Sequence, residues 1–395
     1  KVKPVQELKI VGQSPQRYDI PAKVDGTQQW AVDVKLPGMV HARNVKPPVG
    51  GATLVSIDES PVRGLPGFVK VVSKGNYVAV VCEREEQAID AARKLKVNWK
   101  KPETAPFPAS SELHAFMRTA TPTSSPTPNV VGNPAAAFDG AAKVIEAEYD
   151  IPFQGHTAFA PAHATADPSN GQITSYSNDM KSYGMRNGVA TFLKVPRDTV
   201  RVIWREGPQG YGRTAADDAG FEAAYLAKEL GRPVRVQWMR PDDLLWSTQS
   251  PPGLSDIKIG WDATGKITAY QADHYMPAMQ DDRLVGALIA GLPTQAPPTP
   301  QPEAGSISST VNGISDPWIY DQVPNVIESG YGTFQLGQQA SPLAIGLRDH
   351  SMRTPGQLQQ NYPRELAISE AAATAGVDGI EFRMKNTNDQ RLIGV

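Results

Sequence analysis

The feature that most constrains the fold is a strand–turn–helix–strand unit in the middle of the chain. Val200–Trp204 is rich in β-branched and aromatic residues, as a strand is, and the glycine-rich segment 207–218 (GPQGYGRTAADD) follows it. Asp217–Leu230 has amphipathic helical spacing, with an acidic start and Gly231 placed to cap its end. Pro233–Met239 then returns to strand. Such a unit needs a sheet with a helix packed on it, so it predicts a mixed α and β fold.

Proline and glycine are frequent throughout, with 35 prolines and 34 glycines in 395 residues. Both interrupt helices and suit turns, which favours strands and long loops over a helical bundle. A chain of this length exceeds one small core, so we expect two domains. The net charge is only −2, and it does not indicate a nucleic-acid or acidic-membrane binder.

The first part of the chain shows the order strand, strand, helix, strand. These four predicted elements are Phe68–Val72, Tyr77–Val81, Glu85–Lys94 and Val97–Trp99. Short apolar runs separated by turns, which predict strands and tight turns, precede them in residues 10–50. The pattern predicts a first α/β domain over residues 1–117.

A stretch poor in apolar residues and rich in Pro, Ser and Thr follows, and it predicts an extended linker over residues 118–133. Residues 134–395 form the predicted second domain. Its further predicted strands are Ala141–Tyr149, Ile173–Tyr176 and Ile257–Tyr270, and its further helices are Met185–Leu193 and Pro363–Ala375, with Pro363 in the first turn and Gly376 as the stop. The proline-rich segment Leu292–Gly305 is predicted to be a surface insertion.

Cys82 is the only cysteine, which excludes an internal disulfide and any cluster held by four thiolates of this chain. It lies in a predicted buried strand, where we expect a packed apolar cysteine. An electron relay of iron–sulfur clusters or attached haem must therefore lie on another polypeptide. No apolar run approaches the ~20 residues of a membrane helix. No signal peptide is visible, and because the chain starts at Lys1, we expect a processed or cut start.

The glycine-rich segment 207–218, called the glycine turn below, could bind a ligand. Glycines allow a ligand to approach the backbone closely, and free amides at the start of a helix suit an anion. By itself such a turn is more often a plain structural loop. A dinucleotide fingerprint would need glycine at position 215, which is alanine, and the Gly-Lys-Ser/Thr ending of a phosphate-binding loop is missing. A nicotinamide-dependent dehydrogenase is therefore disfavoured.

Four ordered stretches resemble the molybdenum-cofactor subunits of the xanthine dehydrogenase/aldehyde oxidase family. The similarity is greatest to the branch of bacterial isoquinoline 1-oxidoreductase, nicotinate dehydrogenase and membrane-associated aldehyde dehydrogenase large subunits. The stretches are Arg17–Gly26 with Leu36–Met39, the glycine turn with its helix and Leu230–Asp243, Asp349–Asn361 with Glu365, and Val377–Arg383 with Asp389–Arg391. The resemblance extends over nearly the whole chain, and the four stretches occur in the same order.

The resemblance implies an α+β fold in which an α/β hammerhead-like domain precedes part of a molybdenum-cofactor-binding α+β domain. It implies a molybdopterin cytosine dinucleotide whose molybdenum needs no ligand from this chain. Glycine-turn residues would lie beside the molybdenum, and a second stretch would bind the pterin end. The cofactor-binding residues assigned in this way are Gly210, Tyr211, Gly212, Arg213, Met180, Arg353 and Gln357.

Three departures from the family pattern concern the chemistry. Met180 occupies the place of a glutamine that contacts the molybdenum ligands, and methionine is a poor hydrogen-bond donor. Ala160 replaces a glutamate before Pro161, whereas His156 is retained, with a structural role expected for it. The general base of the family is a glutamate in a Gly-x-Gly-Glu motif that residues 1–395 lack, so we expect it outside this chain, in a C-terminal half of the subunit.

The resemblance implies oxidation of an aldehyde to a carboxylate with water as the oxygen source, and Tyr211 and Ala160 favour this over hydroxylation of an N-heteroaromatic substrate. A non-catalytic scaffold subunit is a further alternative. The expected partners are the C-terminal half of the molybdenum subunit, a small 2Fe–2S subunit, a cytochrome c subunit carrying haem c and a small-molecule substrate, with no nucleic acid. The expected location is the periplasm, either free or attached to the inner membrane through a partner, with the cytoplasm as the alternative.

Overall fold

The computed structural model describes residues 3–103, 108–124, 128–178, 182–207, 216–277, 318–333, 352 and 356–395. The strands are β1 (Val40–Asn44), β2 (Thr53–Asp58), β3 (Phe68–Lys74), β4 (Tyr77–Cys82), β5 (Lys96–Lys100), β6 (Pro122–Ser124), β7 (Asn129–Val131), β8 (Lys143–Ile151), β9 (Gln154–Gly155), β10 (His163–Asp167), β11 (Ile173–Ser177), β12 (Val200–Trp204), β13 (Val234–Gln237), β14 (Gln249–Ser250), β15 (Gly253–Trp261), β16 (Ile267–Pro277) and β17 (Val326–Thr333). The helices are α1 (Ile20–Val24), α2 (Glu85–Lys94), α3 (Leu113–Thr119), α4 (Pro134–Asp139), α5 (Ser182–Leu193), α6 (Ala216–Leu230), α7 (Arg240–Trp246), α8 (Gln357–Ala375), α9 (Gly379–Lys385) and α10 (Gln390–Ile393).

A seven-stranded mixed sheet, in the order β12-β11-β10-β13-β1-β4-β3, forms the centre of the structure. β1 pairs in parallel with β13, with Val40 opposite Val234 and Ala42 opposite Val236. The pairing joins strands from residues 1–117 to strands from residues 134–395 in one continuous sheet.

β4 shows why this sheet has a helix layer on each face. Its side chains alternate between two cores because successive residues of a strand point to opposite faces. Tyr77, Ala79 and Val81 join the core under α5 and α6. The other residues of the strand, including Val80 and Cys82, join a core that contains residues of α2.

A second sheet, in the order β6-β17-β16-β15-β8, carries α8 on one face. The core between them contains Ile257 and Ile259 of β15, Tyr270 of β16, and Ile368 and Ala371 of α8. Two small antiparallel pairs, β2 with β5 and β9 with β14, complete the sheets among the described residues.

Several predicted elements agree closely with the structure. β12 and α2 have the predicted bounds, and α6 begins one residue before its predicted start. Cys82 is fully buried, and burial raises the pKa of its thiol to about 11, which confirms a packed apolar cysteine. The turn at Leu36–Met39 is present, with Gly38 at φ 69°.

Three predicted elements are corrected. Ile20–Val24, within the region where we predicted strands and turns, is the short helix α1, with Pro21 in its first turn. The single strand predicted over Ile257–Tyr270 is divided between β15 and β16. Asp262 turns the chain between them by accepting hydrogen bonds from the backbone N–H groups of Thr264 (2.8 Å) and Lys266 (3.1 Å).

The helix predicted over Pro363–Ala375 begins at Gln357, so Pro363 lies inside it rather than in its first turn. A proline inside a helix removes one hydrogen bond, here the one that the Gln359 carbonyl would accept. The buried face that contains Ala367, Ile368 and Ala371 keeps the helix packed despite that loss. The stop at Gly376 is confirmed, since this glycine adopts φ 70°.

The stretch 118–133 is extended in part. β6 and β7 lie within it, and both pair with β17. The division into two domains with a linker at 118–133 stays a prediction, and the segment Leu292–Gly305 lies outside the described residues. In the part of the chain that the structure describes, no helix combines the length and apolarity needed to cross a membrane.

Asn386 provides a test of the packing between α9 and the second sheet. Its Oδ1 atom accepts a hydrogen bond from the Ile267 backbone N–H (2.8 Å), and its Nδ2 atom donates to the Phe382 carbonyl (2.8 Å). Because Asn386→Ala leaves a buried N–H without its partner, we expect the free energy of unfolding to fall by about 2 kcal/mol. The exposed Asn388→Ala is the matched control. Equal urea midpoints for both variants would contradict the prediction.

Candidate functional site

Most of the residues assigned to the cofactor by resemblance lie outside the described residues. They are Gly210, Tyr211, Gly212, Arg213, Met180 and Arg353. Gln357 is the first residue of α8. The site is therefore built from Gln357 and from the residues on either side of the segments 179–181, 208–215 and 353–355.

Two of these flanking residues are in close contact. β11 and β12 are parallel neighbours, so their carboxyl ends lie at the same edge of the sheet. Asn178 directly follows β11 at this edge, and Gly207 comes three residues after the end of β12. A Cβ atom on Gly207 would lie 2.1 Å from Nδ2 and 2.5 Å from Cβ of Asn178. Glycine is therefore required at 207, and the chain enters the segments containing Met180 and the glycine turn from adjacent positions.

Glu206, the residue before Gly207, is held by Lys23 and Ala31. The backbone N–H of Ala31 donates to the Glu206 carbonyl (2.8 Å), and Lys23 forms an ion pair with the Glu206 carboxylate. Lys23 also bonds Asp19 (2.7 Å), which pairs with Arg17. The hydrogen bonds from Arg17 and then Lys23 lower the pKa of Asp19. These three charged residues belong to Arg17–Gly26, and they connect that stretch to the glycine turn.

Sequence reasoning gave Arg17, Asp19 and Lys23 no role. The signal available was the i,i+4 spacing of Asp19 and Lys23, which allows an ion pair on α1. Nothing local could indicate Glu206 as the second partner. Because these side chains are partly exposed, each ion pair contributes little to the free energy of unfolding. The Lys23 pair instead holds α1 next to Glu206.

The helix that leaves the glycine turn carries a buried carboxyl group. Glu222 of α6 is 2% exposed, and its Oε2 atom accepts hydrogen bonds from Nδ2 of Asn44 and Nε1 of Trp238 (3.1 Å). The Lys46 ammonium lies 3.8 Å from the centre of the Trp238 ring. Burial raises the pKa of Glu222 to about 7, against the opposing effects of Lys46 and the two hydrogen bonds. The sequence signal that we missed is a glutamate on the apolar face of an amphipathic helix.

The loop 155–162, which contains His156 and Ala160, is held by α7 and the residues after it. Arg240 donates to the carbonyls of Ala158 (2.7 Å) and Phe159 (3.0 Å) and pairs with Asp243 (2.8 Å). The His156 ring is buried, and its Nδ1 atom lies 3.0 Å from the carbonyl oxygen of Thr248. This contact fits the structural role expected for His156, and Ala160 lies half-buried in the same loop.

The start of α8 lies against β14 and β15. The Nε2 atom of Gln359 donates to the Pro251 carbonyl (2.8 Å). A Cβ atom on Gly253 would lie 3.1 Å from the Gln359 side chain, so the helix approaches β15 closely there. The resulting contact brings Gln359, in the described end of the stretch Asp349–Asn361, beside Pro251, shortly after the segment that supports His156.

Three buried side-chain oxygens, one beside the segment 179–181 and two close after the segment 353–355, suit a polar ligand. Oδ1 of Asn178, Oε1 of Gln357 and Oε1 of Gln359 are buried, and none has a hydrogen-bond partner among the described residues. Buried acceptors of this kind need donors, and a pterin carries several N–H groups. The residues present therefore fit the implied cofactor. The described residues contain no cluster of three or more His, Cys, Asp or Glu side chains placed to hold a metal ion.

Comparisons with known proteins test the family resemblance. Residues 120–279 match the model of the molybdopterin cofactor-binding domain. A nicotinate dehydrogenase subunit of Pseudomonas putida is 31% identical over 407 residues, which cover 99% of this chain and 32% of that protein. The molybdenum-binding subunit of the aldehyde oxidoreductase of Escherichia coli K12 is 26% identical over 412 residues, covering 97% of this chain and 51% of that protein. The resemblance to the molybdopterin-binding subunits of the xanthine dehydrogenase/aldehyde oxidase family is confirmed by these matches.

The fold agrees with that assignment. The structure of aldehyde oxidoreductase from Desulfovibrio gigas superposes with a TM-score of 0.69 at 17% identity, covering 95% of this chain and 43% of that one. The predicted α+β class is confirmed. The chain spans between about a third and a half of the length of the two curated relatives it matches here.

Gly207 is the first residue whose substitution tests the site. Gly207→Ala forces Asn178 away, and overpacking of this kind costs about 1–3 kcal/mol of unfolding free energy. Gly64→Ala is the control, because a Cβ atom there meets nothing within 4 Å. Urea unfolding of both variants measures the difference, and a Gly207→Ala midpoint as high as that of Gly64→Ala would refute the close contact.

The buried Glu222 predicts a pH-dependent stability. The folded protein keeps the Glu222 proton up to a pH of about 7, whereas the unfolded chain releases it near the ordinary value of 4.5. The free energy of unfolding therefore falls as the pH rises between these two values. Glu222→Gln does not titrate, so its stability relative to the unsubstituted protein should rise over the same range, by up to roughly 3 kcal/mol.

Thermal unfolding at pH 5, 6, 7 and 8 measures this difference. Glu229→Gln is the matched control on the exposed side of α6, where the carboxylate keeps its water and the relative stability should change less. If the relative stability of Glu222→Gln is the same at pH 5 and pH 8, Glu222 does not bind its proton as described.

Proposed function

We propose that this chain is the cofactor-binding part of a molybdenum hydroxylase that oxidises an aldehyde to a carboxylate. The match of residues 120–279 to the molybdopterin cofactor-binding domain carries the proposal. The reaction consumes one water, whose oxygen enters the product, and releases two electrons and two protons with the carboxylic acid. The bound molybdenum–pterin group supplies the two-electron oxidation.

The residues of this chain bind and orient that group. The free acceptor oxygens of Asn178, Gln357 and Gln359 are available to N–H donors of the pterin. Gly207 lets the chain enter the glycine turn beside Asn178 without a side chain in the way. The cofactor roles of Gly210, Tyr211, Gly212, Arg213, Met180 and Arg353 stay predictions, because the structure does not describe these residues.

The remaining assignments of the complex are proposals of the same kind. We propose the cytosine dinucleotide form of the cofactor and a general-base glutamate on a C-terminal half of the subunit. Electrons would leave through a small 2Fe–2S subunit to the haem of a cytochrome c subunit, in the periplasm. The single buried cysteine supports relay centres on other chains, because it leaves no thiolate here to hold a cluster.

Hydroxylation of an N-heteroaromatic acid is the second candidate. It is supported by the 31% identity to a nicotinate dehydrogenase subunit, which exceeds the 26% identity to the aldehyde oxidoreductase subunit. Ala160 and Tyr211 support the aldehyde instead, since the carboxylate expected at position 160 is missing and Tyr211 replaces a common phenylalanine.

Metal and nucleotide analysis of the purified native complex, with intact masses of every chain, tests the function. We expect stoichiometric molybdenum, cytidine monophosphate after hydrolysis, and a Gly-x-Gly-Glu motif in a polypeptide of the complex. Reduction of an artificial electron acceptor with benzaldehyde and with nicotinate, without NAD, then separates the two substrates. An intact complex that contains no molybdenum would exclude the hydroxylase and leave a scaffold subunit.

A further inference from the structure

Glu222 connects α6 to two neighbouring strands of the large sheet, β1 and β13, through its Oε2 atom. One donor, Asn44, ends β1, and the other, Trp238, directly follows β13. These two strands pair with each other in parallel. A third residue, Tyr77 at the start of β4, donates from its hydroxyl to Oδ1 of Asn44 (3.4 Å) and so orients the Asn44 amide. The Glu222 carboxyl group thus connects one helix to three neighbouring strands.

Stability alone does not account for a carboxyl group at this position. Burial opposes its ionisation, and apolar residues of similar size in place of buried ionic groups are often neutral or stabilising. What a hydrogen-bonded polar group adds is direction, because its bonds form in only one relative placement of the partners.

Small residues make up much of the rest of the α6 interface. Its buried positions include Ala219, Ala223, Ala224 and Ala227, with Phe221 and Leu226 as large apolar side chains. Small side chains form shallow ridges, which define the position of a helix along a sheet less sharply than interlocking large ones. The Met185 side chain packs closely against Gly220, and the two hydrogen bonds to Glu222 add direction to this packing.

We propose that Glu222 is a positioning residue for the reaction, which fixes α6 on the sheet and thereby sets where the glycine turn returns to the helix. This rests on the proposed function. α6 begins at Ala216, directly after the segment 208–215, and Glu222 is six residues further on, about 9 Å along the axis. A helix this short moves as a rigid unit, so a shift at Glu222 is passed on to the turn. Misplacement by about 1 Å can cost a reaction about a hundredfold in rate.

The test compares three variants of the native complex. Glu222→Gln keeps both bonds, because its amide oxygen can replace Oε2 while its nitrogen takes the place of Oε1, which has no partner among the described residues. Glu222→Ala removes both bonds. Trp238→Phe removes one donor and keeps a ring under Lys46, so it tests the proposal even if Glu222→Ala does not fold. Glu229→Ala, exposed on the same helix, is the control.

Two quantities are measured. The first is the half-life of molybdenum and pterin in the complex during dialysis. The second is hydrogen exchange of backbone amides in peptides from residues 208–222, compared with peptides from 357–375. We expect Glu222→Ala to shorten the half-life and to speed exchange at 208–222 about tenfold, with Trp238→Phe about threefold and no change at 357–375. Glu222→Gln and Glu229→Ala should match the unsubstituted complex.

Other results overturn the proposal. Faster exchange in both regions would show a purely structural role, and a Glu222→Gln variant as impaired as Glu222→Ala would show that the two hydrogen bonds are not what positions α6. Unchanged exchange in both Glu222→Ala and Trp238→Phe would also show that these hydrogen bonds do not position α6. If the unsubstituted complex holds no molybdenum, the proposed function fails, yet hydrogen exchange still decides whether Glu222 fixes α6.

Discussion

The parallel pairing of β1 with β13 joins two parts of the chain that are far apart in the sequence. Val40 and Ala42 on one strand and Val234 and Val236 on the other are completely buried, so the pairing extends a single core under α5 and α6. Because β1 also pairs with β4, and β4 with β3, these two strands are added to the sheet through it. The two donors to Glu222, Asn44 and Trp238, lie at the carboxyl ends of these two strands.

On either side of the segment 208–215, directional polar contacts add to the apolar packing that locates the chain. The Ala31–Glu206 hydrogen bond and the Lys23 ion pair hold the chain before the turn, and Glu222 holds the helix after it. Apolar contacts supply most of the stability of a folded chain, but they tolerate small displacements better than hydrogen bonds do. A site that must present backbone atoms to a ligand benefits from the second kind of contact.

The sequence predicted those elements whose signal is local. The bounds of α2 and β12 follow from the composition and spacing of a few consecutive residues, and the stop of α8 follows from Gly376. The start of α8 was misplaced because tertiary packing of its apolar face outweighs the one hydrogen bond that Pro363 removes. The contacts of Glu206 and Glu222 join distant segments, and no local pattern indicates such partners. A glutamate among buried alanines signals that a partner exists without identifying it.

Pro363 also has a mechanical consequence for the first turn of α8. Since the Gln359 carbonyl receives no hydrogen bond from position 363, the turn from Gln357 to Gln360 has one connection fewer to the rest of its own helix. It is attached instead to the sheet, through the Gln359 side chain and the Pro251 carbonyl. The position of this first turn therefore depends on its attachment to the sheet as well as on the rest of α8.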